Sequence, residues 1–183
     1  MNTLEDNAIM LKIAAGDLDK MSLLFERHSR KLFGFLFHQS HKREASEDMV
    51  QNVFYRMLKY RHTFTAESNF TGWMYHIARN VLKDQVKKYS IAERYDPIDE
   101  HEEHIEGGTL ADEQIEKKQA RATLYDAMRR LSDNNRELLT LSRFQHMKYS
   151  EIGEIMGISE GAVKMRIYRA MQELKSIYTE IER

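Results

Sequence analysis

Apolar residues recur at spacings of three and four along most of this chain, which is the period of one face of an α-helix. The clearest stripe in the first half consists of Met49, Val50, Val53, Phe54, Met57 and Leu58. It predicts an amphipathic helix that begins near Ser46, with Glu47 and Asp48 in the first turn, where acidic side chains suit the helix dipole. Runs with the two-residue period of a strand are few. The pattern therefore predicts an all-α protein.

Three further helices are predicted in the first half. One runs from about Ile9 to Ala15 and is stopped by Gly16, and the second runs from Met21 to Phe37. A loop from Arg61 to Asn69 then leads to a third helix, from about Phe70 to Lys88. Within it Trp73, Ile77 and Val81 lie four residues apart and are expected to face inward. This spacing favours core packing of Trp73.

The second half ends in a pattern that predicts a helix-turn-helix from about Tyr149 to Leu174. Helices from Asp112 to Leu131 and from Arg136 to Phe144 precede it, and the second of these has cap candidates in the segment 132–135. In the helix-turn-helix, Ser150 is expected to cap a short helix and Gly157 to adopt the left-handed backbone that ends it. Ser159 is expected to cap the last helix, whose predicted buried face consists of Val163, Ile167, Met171 and Leu174.

The exposed side of that last helix predicts contact with DNA. It carries Lys164, Met165, Tyr168 and Arg169 near its N-terminus, the end that enters the major groove in this motif. A lysine there donates to guanine or phosphate, and apolar or aromatic side chains contact base edges. The alternative is a plain helical hairpin with a solvated basic face, which the order of cap, glycine and cap at this spacing disfavours.

An acidic stretch separates the two sets of helices. Between Glu93 and Lys118 there are ten acidic residues against three basic ones, together with the only proline, Pro97, and the pair Gly107-Gly108. This composition predicts a flexible, self-repelling linker. We therefore divide the chain into a first helical domain, residues 1–92, a linker, residues 93–112, and a second helical domain, residues 113–183.

The composition also excludes several classes of protein. Without cysteine there is no disulfide, cysteine-ligated zinc or thiol nucleophile. No apolar run approaches the ~18 to 20 residues of a membrane span, and no phosphate-binding glycine loop or nucleophile elbow is present. We therefore expect a cytoplasmic protein that is not an enzyme and holds no cofactor. His101 and His104 have the spacing of a metal-binding pair, but a solvated linker is favoured because structural zinc usually has four ligands.

Two separate parts of the chain resemble the sigma-70 family, specifically its compact extracytoplasmic-function group. Residues 15–17, 23–27, 46–54 and 70–80 are similar in order and spacing to the family's region 2, and residues 136–141 with the helix-turn-helix are similar to its region 4. The resemblance implies a sigma factor that binds core RNA polymerase, reads the minus-35 and minus-10 elements of promoter DNA and aids DNA melting. It also implies an anti-sigma factor as a partner.

The resemblance assigns roles to individual residues. Residues that match the helix docking on the clamp of the polymerase large subunit are Asp48, Gln51, Asn52 and Phe54, although core packing is an equal alternative for Phe54. The 61–69 loop and the helix after it match the part that captures flipped bases of the melted minus-10 strand, with Asn69, His76, Arg79, Asn80, Lys83, Lys87 and Lys88 as its candidates. Stacking of Trp73 on one of these bases is the alternative to its core packing. The minus-35 candidates are Ser159, Lys164, Met165, Arg166, Tyr168 and Arg169.

The chain departs from the family pattern at two places. Leu131-Ser132 stands where the family usually has Leu-Pro, which changes the entry turn of the next helix, and Lys164-Met165 stands where Arg-Ser is frequent, which bears on the minus-35 sequence preferred. Two other functions remain as alternatives. The first is a transcription regulator of the response-regulator output type, in which the helix of Asp48 would have no partner. The second is an anti-sigma or adaptor protein, in which the exposed face of the last helix would have no role.

Overall fold

The computed structural model describes residues 3–92 and 112–183 of the chain. Every regular element within these two ranges is helical, which confirms the predicted all-α fold. The described residues divide into two compact units; residues 3–92 belong to the first and most of residues 112–183 to the second. The predicted linker, apart from Asp112, lies outside the described residues.

The first unit contains the four predicted helices. They are α1 (Thr3–Ala14), α2 (Met21–Ser40), α3 (Arg43–Lys59) and α4 (Phe70–Ala92), with short 3-10 turns at Leu18–Lys20 and Arg61–Thr63. Helix α3 begins three residues before Ser46, and α2 and α4 end three and four residues after the predicted positions. Helix α1 begins six residues before the predicted Ile9 and ends at Ala14, one residue before the predicted end and close to Gly16 as expected. The helical period therefore located each element, with errors at the ends.

The core of the first unit lies between α2, α3 and α4, which pack side by side. Its fully buried side chains include Met10, Ile13, Leu24, Leu32, Phe35, Met49, Val53, Met57, Phe70, Met74 and Val81. Five of the six residues in the predicted stripe of α3 are buried, and the sixth, Leu58, is half-buried. Burial of these apolar side chains is the main favourable contribution to the stability of the unit.

A buried ionic group fixes α1 to α2. Asp6 is 2% exposed, and its carboxylate lies 2.9 Å from the Nη1 of Arg27 and 2.9 Å from the Nε2 of His28. The Nη2 of Arg27 also lies 2.9 Å from the carboxylate of Glu5, which is on α1 next to Asp6. Burial lowers the pKa of His28, and the Asp6 charge opposes that shift. Since a buried carboxylate is tolerated only with such partners, this group determines where α1 lies on the unit.

The second unit also contains the predicted helices. They are α5 (Asp112–Arg130), α6 (Asp133–Leu139), which continues as a π-helical turn at Thr140–Phe144, α7 (Tyr149–Met156) and α8 (Glu160–Ile181). Helices α5 and α6 both pack against α8. The buried side chains of this unit include Ala127, Met128, Leu131, Leu138, Leu139, Leu141, Ile152, Val163, Ile167, Ala170 and Leu174.

A buried arginine holds the corner between α5 and α6. The guanidinium of Arg136 donates to the carbonyl oxygens of Arg129 at 3.2 Å and Leu131 at 3.3 Å, and it binds the carboxylate of Asp133. These carbonyls lie at the end of α5, where the backbone has no helical donor. Ser132, at the position where the family usually has proline, begins α6 without a side-chain cap. The corner therefore depends on the Arg136 side chain.

Candidate nucleic-acid interfaces

Two of the three capping residues predicted for the helix-turn-helix, Gly157 and Ser159, have the predicted role. Gly157 has a φ of 68°, in the left-handed region, and the Ser159 hydroxyl accepts a hydrogen bond from the Ala162 N–H at 3.2 Å. The prediction that Ser150 caps α7 is wrong, because α7 begins one residue earlier. The carboxylate of Glu151 instead accepts from the Lys148 N–H at 2.8 Å, as acidic side chains in a first helical turn often do.

Close backbone packing also shapes this turn. A Cβ atom added to Gly153, in the middle of α7, would lie 2.7 Å from the carbonyl oxygen of Ile158. Only glycine allows α7 to approach the turn so closely. The sequence placed Gly153 inside a helix but gave no indication that the backbone of the turn lies so close to it.

All of the predicted minus-35 candidates are exposed: Ser159, which caps α8, and on α8 itself Lys164, Met165, Arg166, Tyr168 and Arg169. Among these, Met165 is 53% exposed and Tyr168 is 62% exposed. Apolar side chains with this much exposure on a helix flanked by cations are suited to contact with base edges. One buried position was predicted wrongly: Ala170 lies in the core and Met171 is exposed, because the buried face repeats at 163, 167, 170 and 174.

Helix α4 presents a second face of polar and basic side chains. The minus-10 candidates His76, Asn80, Lys83, Lys87 and Lys88 are exposed, whereas Arg79 and Asn69 are half-buried. The spacing of four, three and four between positions 76, 80, 83 and 87 places those side chains along one side of the helix. Three lysines beside an amide and an imidazole form a surface that is suited to a nucleic-acid backbone.

The one acidic residue within this basic face is bound from the neighbouring helix. The carboxylate of Asp84 lies 2.8 Å from the Nη2 of Arg56 on α3, and the Nε of Arg56 donates to the side-chain oxygen of Asn52 at 3.1 Å. The positive charge of Arg56 therefore compensates the negative charge of Asp84. Sequence reasoning did not assign a role to Arg56.

The loop before α4 is built around an aromatic pair. The Phe64 ring packs edge-on against Trp73 with centroids 5.3 Å apart, and the Trp73 Nε1–H donates to the Thr63 hydroxyl at 3.3 Å. Trp73 is therefore half-buried rather than in the core as predicted, since its indole N–H needs a polar partner at the surface. The side-chain oxygen of Asn69 accepts from the Thr71 N–H at 3.1 Å and so caps α4. Asn7, on α1, also contacts this loop and was missed by sequence reasoning.

A third face lies on α3. The candidates Asp48, Gln51 and Asn52 are exposed, whereas Phe54 is only 5% exposed and packs against Phe25 with ring centroids 4.8 Å apart. Tyr55, which sequence reasoning did not single out, is 63% exposed. It follows Asp48 by seven residues, or two helical turns, and therefore extends the same side of the helix.

The described residues contain no grouping of three or more histidine, aspartate or glutamate side chains suited to a metal ion. His101 and His104 lie outside the described residues. Within the described ranges, none of the helices is long and apolar enough to cross a membrane.

Two family models match this chain. Sigma-70 region 2 matches residues 24–91, and Sigma-70, region 4 matches residues 121–174. Two curated relatives extend the similarity across nearly the whole chain. The RNA polymerase sigma factor CarQ of Myxococcus xanthus is 27% identical over 182 residues, covering 94% of this chain and 97% of the relative. The ECF RNA polymerase sigma factor SigM of Bacillus subtilis is 27% identical over 167 residues, covering 85% of this chain and 93% of the relative.

The fold is also similar to that of a solved structure. The sigma factor RpoE from Bartonella quintana, in a co-crystal with the anti-sigma factor NepR, has a TM-score of 0.68 at 22% identity, covering 88% of this chain and 98% of that one. At this identity the comparison concerns the fold alone.

Proposed function

Because the chain belongs to the sigma-70 family of RNA polymerase sigma factors, in its extracytoplasmic-function group, we propose that its two units divide promoter recognition between them. As a sigma factor it directs promoter-specific transcription initiation through RNA polymerase, and it regulates initiation rather than catalysing a separate reaction. In this proposal residues 1–92 bind core polymerase and the minus-10 element, residues 93–112 link the units, and residues 113–183 bind the minus-35 element.

The second unit reads the minus-35 element through α8. Lys164 donates to guanine or phosphate, and Met165 and Tyr168 make apolar contacts with base edges. Ser159, Arg166 and Arg169 contact the sugar-phosphate backbone and set the register of α8 in the groove. This assignment is supported by the exposure of all six side chains on a helix that is capped locally and packed on two others.

The first unit binds the melted minus-10 strand along α4 and the loop before it. Lys83, Lys87 and Lys88 hold phosphates, and the other candidates, His76, Arg79, Asn80 and Asn69, surround the unstacked bases. The half-buried Trp73 offers part of its ring to stacking. Extraction of a base costs a few kcal/mol, so a surface with both cations and an aromatic ring is suited to the task.

Core polymerase binds the exposed side of α3. Asp48, Gln51 and Asn52 contact the partner directly, and Tyr55 adds an aromatic side chain of the kind that often dominates binding energy. Phe54 acts from beneath this face by packing, together with Phe25. The protein works in the cytoplasm, where polymerase and promoter meet, and an anti-sigma factor of the kind bound to RpoE holds it inactive.

The observation that carries the proposal is the exposure of two separate sets of DNA-binding candidates, one in each region matched by a family model. The test is transcription in vitro with purified core polymerase and a library of genomic promoters. We expect initiation at a small subset of promoters that share two spaced elements. Failure to direct initiation at any promoter would contradict the proposal.

Matched variants separate the interfaces. Asp48→Ala is expected to weaken core binding by about tenfold, a typical loss for a central interface residue, whereas Glu26→Ala, which removes an exposed carboxylate from α2, is expected to leave it unchanged. Lys164→Ala is expected to reduce initiation at promoters that need a minus-35 element, whereas Lys118→Ala on α5 should not. Equal effects of the variant and its control would contradict the assignment of that interface.

A further inference from the structure

One side chain of α1 joins the loop before α4 to the start of α4 itself. The amide nitrogen of Asn7 donates to the carbonyl oxygen of Ser68 at 3.2 Å, and its amide oxygen accepts from the Phe70 N–H at 2.8 Å. The two bonds span more than sixty residues of sequence. A single amide thus bonds to the backbone on both sides of Asn69, which itself caps α4.

Asn7 is held in place by its neighbour. The adjacent residue, Asp6, is the buried carboxylate that binds Arg27 and His28 on α2. The ring of His28 in turn packs against the ring of Phe70, the first residue of α4, with centroids 5.0 Å apart. Both ends of the Asn7 contact are therefore attached to α2, the α1 end through Asp6 and the α4 end through Phe70.

The loop has some local order without Asn7. Ser68 donates from its N–H to the carbonyl oxygen of Thr65 at 3.0 Å, and its hydroxyl accepts from the Thr65 N–H at 3.1 Å. These bonds close the turn on itself but do not attach it to α4. The Phe70 N–H belongs to the first turn of a helix, where backbone donors have no helical acceptor. Asn7 supplies that acceptor and also fixes the turn beside the helix.

We propose that Asn7 is a positioning residue for capture of the single-stranded minus-10 DNA. It holds the 64–69 loop in the conformation that accepts an unstacked base, so that the loop does not have to become ordered when the strand binds. This inference rests on the proposed function, which places the strand along this loop and α4. Helix α1 lies before residue 24, where the match to the region 2 family model begins, so that match assigns it no role.

The test measures the affinity of the holoenzyme for a single-stranded oligonucleotide that carries the minus-10 sequence of a promoter it transcribes. We expect Asn7→Ala to weaken that affinity by about tenfold, since two hydrogen bonds that order the loop are lost. Affinity for core polymerase should stay within about twofold, because α1 packs mainly on α2, α4 and the 3-10 turns rather than on α3, and separate sites act nearly independently. Ala8→Ser, at the next and exposed position of α1, is the matched control.

A second variant separates the two hydrogen bonds. Asn7→Asp keeps an oxygen to accept from the Phe70 N–H but removes the donor to Ser68. We expect it to restore slow hydrogen exchange of the Phe70 amide while strand affinity remains reduced, because the loop carbonyl is no longer bound. If Asn7→Asp recovers full strand affinity, Asn7 acts only as a helix cap and the proposal is overturned.

Asn80→Ala separates the positioning role of Asn7 from the proposed minus-10 site itself. If Asn80→Ala weakens strand binding and Asn7→Ala does not, the positioning role is wrong and the minus-10 site stands. If neither variant weakens it, the strand binds elsewhere and both are overturned. A loss of core affinity in Asn7→Ala equal to its loss of strand affinity would indicate general destabilisation and would also overturn the positioning role. Loss of strand affinity alone, in Asn7→Ala but not in Ala8→Ser, supports it.

Discussion

The two helices that we assign to DNA recognition begin in different ways. Helix α8 is capped by Ser159, the residue just before it, whose hydroxyl accepts from the Ala162 N–H. At α4 the first free N–H is satisfied by Asn7, from a helix that lies more than sixty residues away in sequence. The start of α8 is built from adjacent residues alone. The start of α4 has an adjacent cap as well, Asn69, but it also uses a bond that forms only when α1 is packed on the unit.

The same contrast extends through the two units. The first unit buries two histidines and a carboxylate, and polar contacts between distant helices determine where α1 and the loop before α4 lie. The second unit also buries charged side chains, Arg136 and Glu137, but its helix-turn-helix depends on a left-handed glycine, a close backbone approach at Gly153 and a local cap. We therefore expect the recognition surface of the first unit to be sensitive to remote polar substitutions, and that of the second to changes within the motif.

The largest expected effect comes from the ionic group of the first unit. Asp6→Ala removes the partner of both Arg27 and His28 and should lower the free energy of unfolding by about 3 kcal/mol, because a buried donor is left without an acceptor. Urea unfolding followed by the fluorescence of Trp73, the only tryptophan, reports on this unit. Glu5→Ala, which removes the exposed partner of the same arginine, should have a much smaller effect. Similar losses from both would show that burial of Asp6 is not what matters.

Acid should destabilise the first unit before the second. Burial lowers the pKa of His38 on α2 from 6.5 to about 4, so the folded unit holds the neutral imidazole while the unfolded chain takes up a proton first. Stability is therefore complete above about pH 6.5 and falls as the pH falls toward 4, with a loss on the order of 2 kcal/mol between pH 7 and 5. Among its described residues the second unit buries no histidine.

The acid effect is measured by urea unfolding at a series of pH values with Trp73 fluorescence. His38→Gln should flatten the profile between pH 7 and 5, although it lowers stability at neutral pH. His28, whose pKa burial also lowers, leaves a residual slope in this variant. An unchanged slope in His38→Gln would contradict the assignment to His38.

Two glycines of the second unit should respond in opposite directions to the same substitution. Gly153→Ala places a methyl group against the carbonyl oxygen of Ile158 and should cost about 1 to 2 kcal/mol, the usual range for overpacking. Gly161→Ala, in the first turn of α8 with open space around it, should stabilise the unit by about 0.5 kcal/mol through higher helix propensity. Hydrogen exchange of the α8 amides measures both, and a loss in each variant would contradict the steric account.

The sequence predicted the locally determined features well. The helical period located every helix, and the order of glycine and serine located the turn before α8, because those signals depend on residues next to each other. The predicted burial of Met171 was wrong, because Ala170 occupies that place in the buried face. A side chain as small as alanine gives little indication in the sequence of whether it is buried. The burial of Phe54 beneath Phe25 depends on a neighbouring helix and was left open.

Contacts between distant residues were not predictable in this way. Nothing near Asn7 indicated that its amide reaches the loop before α4, and nothing near Arg56 indicated that it binds Asp84. Trp73 was placed in the core because its spacing matched Ile77 and Val81, although its indole N–H lies toward the Thr63 hydroxyl at the surface. The candidate site on α8 was therefore more completely predicted than the site on α4.

The smallest expected loss of stability comes from removing the local cap of α8. Ser159→Ala removes the acceptor for the Ala162 N–H and should lower the stability of the second unit by about 1 kcal/mol, the usual value for an N-cap. Ser132, which begins α6 without a side-chain cap bond, is the matched control, and Ser132→Ala should change stability by less than about 0.3 kcal/mol because no bond is lost. Hydrogen exchange at the starts of α6 and α8 distinguishes the two positions. Equal losses would show that serine favours these starts through backbone conformation rather than through the hydroxyl, and the contrast between a locally capped α8 and a remotely held α4 would then rest on Gly157 and Gly153 alone.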